Sequence, residues 1–197
     1  MNKLNLKELK NICRKNSIKK YSSLNKEDLV KYIKKMKKIK GGSDIILNRT
    51  KLLELLGIQE SILIQKEYIF VDNMKITEIE PNTFKGLSKV KYLYLNGNEI
   101  TEIKKDTFNG LSSLKELFLE NNNIKTIDPY AFSGLSNLIK LYLRNNNIKE
   151  IKPNTFSGLS KLESLDLKEN NIQEVDAISL NGLSNSTIII SDLSNNF

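Results

Sequence analysis

Residues 117–127 read LFLENNNIKTI. If this stretch is a strand, alternate side chains point to opposite faces, so Phe118 faces away from whatever buries Leu117 and Leu119. Whether a large apolar ring belongs there depends on whether the stretch stands alone, and it does not. YLYLNGNEITEI starts at Tyr92, ELFLENNNIKTI at Glu116, KLYLRNNNIKEI at Lys140 and SLDLKENNIQEV at Ser164, each start 24 residues after the last. Phe84, Phe108, Phe132 and Phe156 form one column, which Leu180 continues; Gly86, Gly110, Gly134, Gly158 and Gly182 form another; Val90, Leu114, Leu138 and Leu162 a third. The frame is unbroken from 76 to 183, the signature of a stacked repeat.

One such repeat cannot bury its own apolar residues, so neighbouring coils must cover each other. Leu93, Leu95, Ile100, Ile103, Phe108, Leu111 and Leu114 would fill the interior of one coil, at roughly 1.5–3 kcal/mol for each large side chain fully buried. Asn98, Asn122, Asn146 and Asn170 form a polar column at the strand ends. Its expected task is to satisfy inward-pointing backbone groups where the chain turns, because unpaired buried polar groups are costly. The NNN runs at 121–123 and 145–147 therefore are not low-complexity sequence: only the middle residue of each lies in the column.

The pattern LxxLxLxxNxIxxIxxxxFxGLxx resembles the leucine-rich repeat family in its typical 24-residue form with the F-x-G-L tail, over residues 69–197. The resemblance implies an α/β solenoid in which each repeat gives one short strand to a parallel sheet on the concave face and returns by a loop or short helical turn. Residues 50–67 lack the F-x-G-L tail and read as a helical or irregular N-terminal cap, and Met74 takes the place of the first column asparagine. Read from the sequence, residues 186–197 lose the frame, since strict register puts Ser191 and Ser194 where Leu and Asn belong. The expectation there is a degenerate last strand, with Leu193 or Phe197 closing the core.

The first 40 residues are a different object. Residues 1–41 hold thirteen lysines and one arginine against Glu8, Glu27 and Asp28, a net +11 that leaves −3 for the rest of the +8 chain. Such asymmetry suggests two modules with different partners. The predicted organisation is a basic helical module over 1–40, a linker and solenoid cap over 41–68 beginning near the GGSD run, and the repeats over 69–197. Asn5 with Glu8, and Asn25 with Asp28, have the spacing of helix N-caps; Leu6, Leu9 and Cys13 share one helical face and Leu29, Ile33 and Met36 another. The spacing over residues 4–36 resembles the SAP-type helix–extended-loop–helix module, a small all-α fold. That resemblance implies DNA contact, mainly to the backbone. Lys19, Lys20, Lys26, Lys31, Lys34, Lys35, Lys37 and Lys38 would then meet phosphates, which give affinity without sequence choice. The competing reading is a solvated helical cap or protein-docking module.

The chain contains no histidine and one cysteine, which removes His-based triads and His–Cys zinc sites. No phosphate-binding glycine loop or calcium loop is present, and no pair of carboxylates sits in an environment that suits acid–base work. The expectation is a non-enzymatic protein with no cofactor and no small-molecule substrate. Nothing reads as a signal peptide, a membrane span or a disulfide-rich cap, so an intracellular setting is expected: cytoplasm, nucleus or, given the resemblance to proteins of large DNA viruses, a viral factory or virion.

The ring at 118 belongs to a column of its own: Phe70, Tyr94, Phe118, Tyr142, then Asp166. With strands about 4.8 Å apart, these side chains are expected to project into solvent as an aromatic stripe on the concave sheet. Tyr68 and Tyr92 widen it on one side, and Asp72, Asn96, Glu120, Arg144 and Lys168 flank the other, acidic groups first and basic ones last. Phe70, Tyr92, Tyr94, Phe118, Glu120, Tyr142 and Arg144 are the candidate contacts for a protein ligand, since rimmed aromatic surfaces are what such sites offer. The alternative is that the rings simply favour strands and shield one another. The functional expectation is an adaptor, holding a protein on the repeats and DNA on the basic module; the competing reading is a structural or virion assembly component.

Overall fold

The computed structural model describes residues 44–192. The basic segment with its expected helix pair and eight candidate lysines, and the terminal Leu193 and Phe197, lie outside the described residues. A short strand β1 (Ile45–Leu47) leads into α1 (Arg49–Leu56) and α2 (Glu60–Leu63). The repeats then alternate two kinds of strand. One set is β2 (Tyr68–Phe70), β4 (Tyr92–Tyr94), β6 (Glu116–Phe118), β8 (Lys140–Tyr142), β10 (Ser164–Asp166) and β12 (Ile188–Ile190). The other is β3 (Ile76–Ile79), β5 (Glu102–Ile103), β7 (Thr126–Ile127), β9 (Glu150–Ile151) and β11 (Glu174–Val175). The first set forms one six-stranded parallel sheet in the order β12-β10-β8-β6-β4-β2, and the second forms two-stranded fragments on the return path.

The frame read from the sequence is the pairing register. Leu93 stands beside Leu117, Leu117 beside Leu141 and Leu141 beside Leu165. The core columns are buried: Phe84, Phe132 and Phe156 have no exposed surface and Phe108 has 1%. The spacing of these columns sets the curvature. Rings on the sheet side repeat every 4.5–4.8 Å, whereas the Phe84, Phe108, Phe132 and Phe156 rings repeat every 5.7–6.3 Å. Coils that stand further apart on the phenylalanine side must close toward the sheet, so the six-stranded sheet lines the concave face. Coil-to-coil approach is tight even on the wider side. A Cβ on Gly110, at φ +97°, would lie 2.7 Å from the Gly86 nitrogen and the Phe84 carbonyl oxygen.

The asparagine column does what its position predicts. The Asn122 side-chain amide donates to the carbonyls of Leu95 and Leu119, both at 3.0 Å, and its Oδ1 accepts from Ile100 N at 3.1 Å. Asn146 and Asn170 repeat this one and two coils on. Asn98 reaches back to the first coil, where its Oδ1 accepts from Met74 N and Ile76 N and its amide donates to Val71 O, the carbonyl that an asparagine at 74 would serve.

The ends differ from expectation in one place, the last strand. Within the stretch expected to hold linker and cap, residues 45–47 form a strand: β1 pairs in parallel with β3, and Asn48 caps α1 by accepting from Lys51 N at 2.9 Å. The expected helical cap over 50–67 is present as α1 and α2, with Leu52 and Leu63 fully buried. At the far end the last strand keeps the frame. Ile188, Ile189 and Ile190 pair with Ser164, Leu165 and Asp166 in strict 24-residue register. Ser191 misled the sequence reading because the strand needs an apolar residue only at its centre, and Ile189 supplies it.

Besides the glycine column of Gly86, Gly110, Gly158 and Gly182, two further columns take left-handed backbone. One column holds Asn73, Gly97, Asn121, Asn145 and Glu169, the other Asn82, Asp106, Tyr130 and Asn154. Asn, Asp and Gly suit this conformation, while larger side chains clash with the backbone there. Tyr130, at φ +61° and 44% exposed, is out of place in its column. Replacing Tyr130 with Asn is expected to stabilise the solenoid by about 0.5–1 kcal/mol, read as a higher midpoint in urea unfolding; a midpoint at or below wild type would mean the ring has compensating contacts.

Candidate functional site: the aromatic face of the concave sheet

In-register parallel pairing places Phe70, Tyr94, Phe118 and Tyr142 side by side on β2, β4, β6 and β8. At strand spacing the rings have one way to fit, which is to lie parallel. Ring centroids are 4.5, 4.5 and 4.8 Å apart and the planes are within 11° of each other. Tyr68 and Tyr92 form a second stacked pair at 4.8 Å. The expectation that the stripe stands in solvent is corrected here. Tyr94 is 6% exposed and Phe118 3%, while Phe70 and Tyr142 are half-buried. A ring with a neighbour against each face has only its edge left to offer, so the two central rings are packed as a second apolar layer. The sheet is thereby buried on both sides across its middle, as parallel sheets generally are.

The flanks carry the polar chemistry. On one side, Lys140 lies 3.9 Å from the Glu116 carboxylate. On the other, Asp72 is 3% exposed and its Oδ2 accepts from the Asn73 amide at 3.0 Å. Glu120 is half-buried, and Arg144 and Lys168 are exposed. Arg144 donates to the Glu169 carboxylate, which holds that carboxyl below its ordinary range and raises the guanidinium. The order from acidic to basic along this flank is present, with the acidic end buried and the basic end open. Burial, reinforced by the nearby Glu116 carboxylate, pushes the hydroxyls of Tyr94 and Tyr142 above the usual tyrosine range.

Two residues on this face escaped the sequence reading. Ile188 and Ile190 stand in register with Ser164 and Asp166 and extend the outward columns by one coil, 66% and 41% exposed. Counting 24 residues on from positions 164 and 166 would have found them. Among the described residues no cluster of His, Cys, Asp or Glu could hold a metal ion, and no helix is long and apolar enough to cross a membrane.

A family model described as leucine rich repeat matches residues 67–124, 93–148 and 136–196. Among solved structures, the crystal structure of a TLR13–ssRNA13 complex is similar, with a TM-score of 0.54 and 35% sequence identity; the match covers 61% of this chain and 17% of that one. This chain thus corresponds to a small part of that neighbour's length. No curated protein matches it.

Packing of the central rings changes what substitution should do. Phe118→Ala is expected to lower stability by about 3 kcal/mol, against about 0.5 kcal/mol for a solvent-exposed side chain. The raised tyrosine hydroxyls add a pH signature. Their contribution is complete below the unfolded value of about 10 and is lost as pH climbs through the higher folded value. Urea midpoints should therefore fall above about pH 10, and Tyr94→Phe should flatten that fall. A Phe118→Ala variant that unfolds with wild type would show that the rings are not packed.

Proposed function

The chain belongs to the leucine-rich repeat family, and from that premise we propose that it is a non-enzymatic adaptor whose concave sheet holds a protein ligand. The observation that supports this most is the continuity of the outward column. It runs from Phe70 through the packed Tyr94 and Phe118 to the half-buried Tyr142. A stacked, in-register floor loses little conformational freedom when a partner settles on it, which leaves more of the contact energy for binding. The partner would touch ring edges along the floor and gain its specificity from the rim: Tyr92, Glu120 and the exposed Arg144. Tyr142 and Arg144 have the character of binding hot spots, an aromatic ring beside a guanidinium on a rigid surface.

The basic segment is assigned the second half of the adaptor role. The surplus of positive charge sits in residues 1–41, while the remainder of the chain carries −3. The solved neighbour is a complex with an RNA, but in this chain the charge distribution favours nucleic-acid contact through the N-terminal segment and protein contact through the repeats. The SAP-type spacing of residues 4–36 supports DNA as the ligand of that segment, and an intracellular setting is part of the same proposal.

The test has two arms on the full chain. Tyr142→Ala with Arg144→Ala should leave a folded solenoid that loses at least about 10-fold in affinity for the protein that co-purifies with wild type. On duplex DNA, neutralisation of about four to six phosphates predicts a loss of about 10²–10³-fold in affinity between 50 and 200 mM salt, and Gln at Lys34, Lys35, Lys37 and Lys38 should flatten that slope. Unchanged co-purification together with salt-independent or absent DNA binding would favour a structural assembly component instead.

A further inference from the structure

The two edges of the six-stranded sheet are built differently. At the β2 edge the central Ile69 is fully buried, and Lys66, Glu67 and Asp72 flank the strand. At the β12 edge the equivalent Ile189 is half-exposed, as are Leu180 and Leu183 in the same coil. Every residue from 183 to 191 is uncharged, in a chain of which 27% is charged. Edge strands are ordinarily protected by charge, proline or a covering segment; among the described residues β12 has none of these and carries a run of four β-branched residues, Thr187 to Ile190.

The hydrogen-bond pattern shows what such an edge accepts. Ile188 N donates to Glu163 O at 2.9 Å and Ile190 O accepts from Leu167 N at 2.7 Å, so residues 188 and 190 direct their backbone groups toward β10. Alternation then turns the N–H and C=O of Ile189 to the open edge, where they have no partner among the described residues. An unpaired edge amide and carbonyl call for another extended strand, not for a compact ligand.

We infer that the β12 edge is a homotypic interface, at which two copies of this chain pair β12 with β12 antiparallel about a two-fold axis through Ile189. In that arrangement the two Ile189 residues exchange both of their N–H···O=C bonds. Ile188 of each copy falls opposite Ile190 of the other, so four isoleucines meet on the concave face. Two features of the chain favour a second copy as the occupant. The edge is its own complement, since it is uncharged and no like charges oppose each other across the axis. The opposite end of the sheet is covered, with Leu52, Leu63 and Ile69 fully buried, which disfavours head-to-tail stacking into filaments and leaves an isologous closed pair. The two concave faces then continue through one sheet.

Sedimentation equilibrium of the full chain, from micromolar to about 200 μM, should show a monomer–dimer equilibrium. Replacing Ile188 and Ile190 together with Lys puts four positive charges at the axis and should weaken the dimer at least 10-fold. At concentrations where wild type is monomeric the melting of the repeats should not change, because both side chains lie outside the core. Hydrogen exchange at the Ile189 amide should slow as concentration rises. A monomer at every concentration would overturn the inference. So would concentration-independent protection of Ile189, which would mean that the chain covers its own edge, or a dimer unaffected by the lysine pair.

Discussion

Four successive coils of this solenoid are each closed by one asparagine side chain. Where a strand ends and the backbone turns inward, carbonyls from two successive coils and an amide from the earlier one point into an apolar interior with no water to meet them. The Asn122 amide answers three of these groups at 3.0–3.1 Å, and because two of them belong to the preceding coil it also fixes the distance between coils. Leaving any one of them unpaired would cost about 1–3 kcal/mol. The leucine and phenylalanine columns supply the larger apolar stabilisation, but apolar contact is tolerant of small slips. The asparagine column is not, and it holds the coils from β2 to β10 to the same 24-residue advance.

The aromatic face follows from that constraint. Once strands are locked in parallel register, equivalent side chains face each other at strand spacing, and flat rings at that spacing stack. The same regularity that builds the core therefore builds a second apolar layer on the outward side of the sheet. The face proposed for protein binding is consequently stiff at its centre, with Tyr94 and Phe118 packed, and chemically available at its rim. A solenoid whose proposed binding face is part of its own packing cannot change that face freely. The rim positions, from Tyr92 to Arg144, are where specificity is free to vary.

Much of this was legible in the sequence because repetition converts weak signals into strong ones. A single Asn122 or Phe108 is ambiguous, but four in phase define a column with one structural meaning. What was not legible lay where repetition fails or where its consequence is collective. The strand at residues 45–47 has no repeat motif and is recruited only by the free edge of β3. The last strand was misjudged because Ser191 occupies a leucine position, although Ile189 alone suffices to seat it. The burial of Tyr94 and Phe118 is the instructive case. Their alternation and spacing could both be read, yet exposure depends on what lies against each ring face, and that emerges only when several strands are stacked together.

The central claim is that the asparagine column, more than any single apolar contact, sets the advance from coil to coil. The most direct measurement compares Asn122→Ala with Asn123→Ala, neighbours in the same NNN run, one buried in the column and the other exposed. Equilibrium urea unfolding should show Asn122→Ala destabilised by about 3 kcal/mol or more, since two carbonyls and one amide lose their partner, and Asn123→Ala within about 0.5 kcal/mol of wild type. Equal and small effects at the two positions would contradict the account, because the turn would then be satisfied without the asparagine.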